Sequence, residues 1–167
     1  MENFQLAPGF FHVQLNLIWA ILHIHRGSIE DTGGMQYCIL LLGRVRLGAE
    51  HPDYHMLVSF TTQILVGHIL LYWETVSKRR LAALAEAKPT FEEMSKDGVL
   101  RNIILLNHDL LIFYELDLAV SSGDFGCVEI FLGALTMIFA GAGCKNYTGE
   151  LLHFIQNLKK NWTSDFV

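Results

Sequence analysis

His12, Asn16, His68, His108, Asp109, Glu115 and Asp117 draw attention because each interrupts a segment that is otherwise apolar. Histidine titrates near neutrality and can pass a proton, and a paired carboxylate can act with it as general acid and base. Asp109 and Glu115 do not make such a pair. Six residues on a helix turn through about 600°, which leaves the two about 120° apart on its circumference. Each of these side chains is more readily explained by a hydrogen bond inside the protein, or by solvent, than by catalysis.

Eight histidines raise the question of a metal. His51 and His55 are four apart, but His51 stands before Pro52 and no HExxH frame surrounds them. Glu150 and His153 form an ExxH, the spacing of di-iron bundles, which need a second ExxH and two further glutamates on facing helices. No second copy is present, so no metal and no cofactor is expected. Nucleophile elbows, Walker loops, a glycine-rich dinucleotide turn and a cysteine nucleophile frame are also lacking, which removes the usual markers of hydrolases, NTPases and dinucleotide enzymes.

The elements that must carry these residues are helices. Apolar residues at 11, 15, 18, 19 and 22, between Pro8-Gly9 and Gly27, predict a helix over about 10–26. Further helices are predicted over about 33–46, 53–86 (breaking or bending near Thr75 to Ser77), 99–121, 124–140 and 147–161. A capping box of Thr90 and Glu93 predicts a short helix that Gly98 ends. Asp124 after Ser121-Ser122-Gly123 reads as an N-cap, and Gly141 and Gly143 as stops. Period-two alternation and hairpin turns are missing. The expectation is an all-α, compact bundle of about six helices in a single domain spanning 1–167, with 1–9 an extended segment.

Apolar residues make up 51% of the 167 and charged residues only 17%, so some apolar surface is expected to serve a partner or a second copy of the chain. A net charge of −5, with Lys and Arg scattered apart from Lys78-Arg79-Arg80 and Lys159-Lys160, argues against nucleic-acid binding by this chain alone. Three cysteines without CxxC spacing or a secretory leader point to an intracellular, reducing compartment rather than secretion. The runs Met56 to Trp73 and Val128 to Ala142 read as core helices, not membrane spans. The first carries Thr61, Thr62, Gln63 and His68, and the second is shorter than the roughly 20 residues a bilayer requires.

Three blocks, "PGFFHVQLNLIWAILHIHRGSIEDTGGMQYCILLLGRVRLG", "HDLLIFYELDLAVSSGDFG" and "FAGAGCKNYTGELLHFIQNLKKNW", resemble the C-terminal part of a large domain of unknown function in mushroom-forming fungi, found in transposon-like reading frames. Fuller members loosely resemble ribonuclease-H-like transposases. Phe11-His12 matches a Phe-His element, while the upstream acidic strand motif has no counterpart, so the resemblance implies a chain that is not a nuclease by itself. It also implies that Asp124, Tyr147 and Glu150 line the turn between the last helices, with His12 or Glu115 near the position of the lost centre.

Two functions compete. One is a non-catalytic helical domain that binds itself or a protein partner. The other is a small helical enzyme of cyclase or isomerase type, or a carrier, for an apolar small molecule. In that second reading His12, Glu115 and Glu150 do acid/base work, and Trp19, His68, His108, Tyr114, Asp124 and Tyr147 contact the ligand.

Overall fold

A computed structural model describes residues 8–30, 32–78 and 96–161. The fold is all-α: among the described residues there are six α-helices and no strand. They are α1 (Phe10–Ile24), α2 (Met35–Leu41), α3 (Tyr54–Lys78), α4 (Gly98–Ser122), α5 (Phe125–Gly141) and α6 (Lys145–Gln156). A 3-10 turn, Val45–Gly48, follows α2, and one π turn, Asn157–Asn161, follows α6.

The ends of these helices follow from local chemistry. The predicted helix over 33–46 is cut short because Gly43 adopts φ +63°, and the N–H groups of Gly43 and Arg44 reach back to the carbonyls of Leu40 and Ile39. That is the crossed pair of a glycine-terminated helix end. Gly123 and Gly143 end α4 and α5 with the same crossed pattern, through Val120 and Ala119 and through Ala140 and Phe139. Asp53 Oδ1 accepts from Met56 N–H at 2.9 Å at the start of α3. Asp97 Oδ1 accepts from Val99 and Leu100 N–H at 3.0 and 3.1 Å at the start of α4, a cap the sequence reading did not single out. α3 runs unbroken through Thr75 and Ser77, because neither proline nor glycine interrupts its ladder there. The predicted capping box at Thr90 and Glu93 lies outside the described residues.

The chain divides into two compact units, one of residues 1–24 and 111–167 and the other of 25–110, with the boundary falling inside α4. In the first, α1 and α6 both pack on α5. Leu17, Ile21, Phe113, Leu116, Leu135, Phe139 and Leu151 are fully buried there, a core that supplies most of the unit's stabilisation. In the second, Met35, Ile39, Leu47, Leu57, Phe60, Leu106 and Leu110 are fully buried.

Asp124 is the N-cap of α5, as read from the sequence: its Oδ1 accepts from Cys127 N–H at 2.9 Å. Asp124→Ala is expected to cost about 1 kcal/mol, seen as a lowered urea midpoint. An unchanged midpoint would show that the cap contributes nothing.

Candidate functional site

The most organised polar cluster lies in the unit of residues 25–110, around Asp109. His25 follows the last turn of α1, and the loop after it turns back tightly enough for Met35 and Gln36 N–H to reach the carbonyls of His25 and Arg26 at 2.8 and 2.7 Å. Arg26 fastens the same loop, donating from Nη2 to the carbonyls of Gly48 and Ala49 at 2.6 and 3.2 Å. Asn102 on α4 donates to the carbonyl of Thr32 at 2.8 Å. These bonds hold His25 against α4, where its Nε2 lies 2.7 Å from Asp109 Oδ2.

Asp109's other oxygen lies 3.0 Å from His108 Nδ1. A carboxylate only accepts, so both imidazoles donate to it, His25 from Nε2–H and His108 from Nδ1–H. Burial alone pushes the Asp109 carboxyl up. The hydrogen bonds from His25 and His108, with their charges, outweigh it and hold the group below its ordinary value of 3.8. Asp109 is therefore ionised and fully engaged. The side chains of His25 and Asp109 are 10% and 16% exposed, whereas that of His108 is 66% exposed, so most of the His108 side chain faces solvent. On α3, His68 donates from Nδ1 to Asn107 Oδ1 at 2.7 Å.

In the other unit Tyr147 is the organising residue. Its ring stacks on Phe139 at 5.0 Å and 18°, and its hydroxyl accepts from Asn16 Nδ2 at 2.7 Å. Burial, then the charge of Glu150 and of Cys144, raise the Tyr147 phenol above its ordinary value of 10.0. Nearby, the buried amide of Gln14 donates to Asp117 Oδ1 at 2.9 Å and ties α1 to α4. Each of these bonds accounts for a polar group inside an apolar segment.

His12, Glu115 and Glu150, the acid/base candidates, are all exposed to solvent. Trp19 and Tyr114 are half-buried, and Asp124 is exposed and engaged as a cap. A groove of about 350 Å³ is lined by Gly126, Glu129, Ile130, Leu132, Gly133, Ile155, Leu158 and Lys159, and a smaller one of about 180 Å³ by Phe10, Ala119, Val120, Gly123, Phe125 and Val128. None of the candidate residues lines either groove. Among the described residues no group of three or more His, Cys, Asp or Glu side chains is placed to hold a metal ion.

His25 escaped the sequence reading. Its partner is 84 positions away, and "HIHRG" looks like any basic helix end. The only signal was Asp109 itself, a lone acid in the apolar run Ile103 to Tyr114.

The model of a family of unknown function, DUF6589, matches residues 1–96 and 93–167. The chain belongs to that family. No curated protein and no solved structure matches it. Membership in DUF6589 carries no assigned activity, so a reading of function has to come from this member's own surfaces.

Proposed function

We propose that this DUF6589 chain is a non-catalytic helical domain, derived from a transposon-like fungal protein, that acts inside the cell by binding itself or a protein partner. The observation that carries the reading is the apolar surface α3 leaves to solvent. Only 28% of the apolar window in Tyr54–Tyr72 is buried, although the segment is long and apolar enough to cross a membrane by length and composition. Leu57 and Phe60 anchor one side of α3 in the protein, while Val66, Ile69 and Leu70, at i, i+3, i+4 spacing, are 48%, 51% and 61% exposed. Leu40, Leu41 and Val45 of the same unit are exposed as well. Contiguous apolar surface of this kind is costly in water and marks a place where another molecule sits.

The Asp109 cluster supports the same reading. Its carboxylate is satisfied by two histidines, and it lies in neither groove, so it serves to hold the 25–36 loop on α4. The proposed transposon-like origin is compatible with a non-catalytic chain, because a two-metal centre needs several converging carboxylates, which a solvent-exposed Glu115 does not supply.

Native mass spectrometry of the protein purified from its own host cells tests the proposal. A complex with further copies or with a protein partner is expected, and Ile69→Glu should release it while leaving the helical circular dichroism unchanged. An apolar compound retained at one per chain, with no second polypeptide, would favour the carrier or enzyme reading instead. A lone chain with nothing bound would also sink it.

A further inference from the structure

We infer that the tip of the α2 hairpin, Leu40 to Val45, is an anchor that enters the headgroup region of an anionic lipid bilayer. This goes beyond the association reading and leaves the α3 face to its protein partner. α2 runs outward for seven residues, about 10 Å, and the 3-10 turn brings the chain back beside it. Arg26 clamps the base of this hairpin, with Nε on Gln36 Oε1 at 3.3 Å and Nη2 on the carbonyls of Gly48 and Ala49. Met35, Ile39 and Leu47 are buried and fix it within the unit of residues 25–110. Its far end is apolar and open. Leu40, Leu41, Leu42 and Val45 are 51%, 68%, 49% and 78% exposed, and nothing lies within 4 Å of where a Cβ on Gly43 would stand.

Three features select lipid as the occupant. Leu40 to Leu42 are consecutive, so their side chains fan through about 200° of the helix circumference. A flat protein face covers one side of such a tip and leaves the rest in water, whereas acyl chains surround it. The backbone of the tip is also satisfied from within, as an apolar medium demands. The N–H groups of Leu42, Gly43 and Arg44 donate to the carbonyls of Cys38, Leu40 and Ile39 at 3.0, 3.1 and 2.8 Å. The third feature is charge. Between Thr32 and Ala49 the sequence has Arg44 and Arg46 and no acid. Both arginines are exposed, and among the described residues neither pairs with a carboxylate; Arg44 places one donor on Gln63 Oε1 at 3.2 Å. Glu50, the next acid along the chain, follows the clamped base and not the tip. Guanidiniums beside apolar side chains suit the phosphates and carboxylates of anionic headgroups. Salt screens exposed charges beyond about 8 Å, so these two outweigh the chain's net −5 where the tip meets a bilayer. A second copy docked on the same tip would set arginine against arginine.

Flotation of the full chain with phosphatidylcholine vesicles, with and without about 30% phosphatidylserine, tests this. The chain is expected to bind the anionic vesicles far better than the neutral ones, and less as salt rises. Leu41→Glu and Val45→Glu should each weaken binding about tenfold or more. Arg44→Gln combined with Arg46→Gln should weaken it about tenfold. All four side chains are exposed, so the helical circular dichroism should not change. Ile69→Glu should leave vesicle binding intact. An equal loss there would move the lipid contact to α3 and overturn the tip, as would binding that ignores Leu41→Glu and Val45→Glu. A chain that floats with neither vesicle overturns the anchor outright. If Val45→Glu then dissolves the complex seen by native mass spectrometry, the tip is a protein interface instead. The association reading is tested separately, by Ile69→Glu on the host-cell complex, and stands if the anchor fails.

Discussion

Gly33→Ala is expected to be among the most damaging single methyl additions to this protein, lowering stability by about 3 kcal/mol or more. Gly33 adopts φ +74°, where a side chain alone costs about 1–2 kcal/mol. A Cβ there would also lie 2.6 Å from the Val99 carbonyl oxygen and 3.0 Å from Ile103 Cγ1, both on α4. A backbone carbonyl in the first turn of a helix cannot step aside as the end of a flexible side chain can. The loop would have to lift off α4, losing the Asn102 bond to Thr32 with it. Gly43→Ala is the control, because Gly43 has φ +63° but nothing within 4 Å of the added carbon. Its cost should stop at about 1–2 kcal/mol. Equal urea midpoints for the two variants would show that the close approach to Val99 does not matter.

The second large effect is expected at Asp109. Asp109→Ala removes the acceptor for His25 and His108 together and leaves the nearly enclosed His25 N–H without a partner, at a cost of about 2–3 kcal/mol. The pH dependence has a definite sign. The folded protein holds the carboxyl below its ordinary 3.8, so the stabilisation is fully present above that value and is lost as pH falls through the depressed one. Other carboxylates also titrate in acid, so the informative quantity is a difference. Wild type minus Asp109→Asn, measured as urea stability from neutral pH downward, should shrink as the pH falls below 3.8. Parallel curves for the two proteins would rule out the depressed carboxyl.

Helix existence was legible in the sequence, because it depends on near neighbours. Apolar spacing located α1 and α4 to α6 within a few residues, and Gly123-Asp124 announced both the stop of one helix and the cap of the next. The second helix was read on to about 46 with Gly43 and Gly48 both available as stops, and it is the first of them, Gly43, that terminates α2. What lay beyond reach was pairing at long separation. Gly33-Gly34 looked like a poor helix start and turned out to precede the helix, where Gly33 makes room for α4. The sequence offered Asp109 as one suspicious acid but not the histidine 84 residues away that engages it. Tyr147 was singled out through its family resemblance, whereas its bond to Asn16 spans 131 positions and no local pattern encodes it.

The crossed hydrogen bonds around Gly143 bear on the order in which the chain assembles. α5 and α6 are separated by only a few residues and pack directly on one another. Closing so short a connection loses little chain entropy, and the contacts it gains are local in sequence. The α5–α6 hairpin is thus the natural first structure of its unit. α1 comes from the far end of the chain and must wait for that template, so Gln14, Asn16 and Phe10 are late arrivals whose loss would speed unfolding more than it slowed folding.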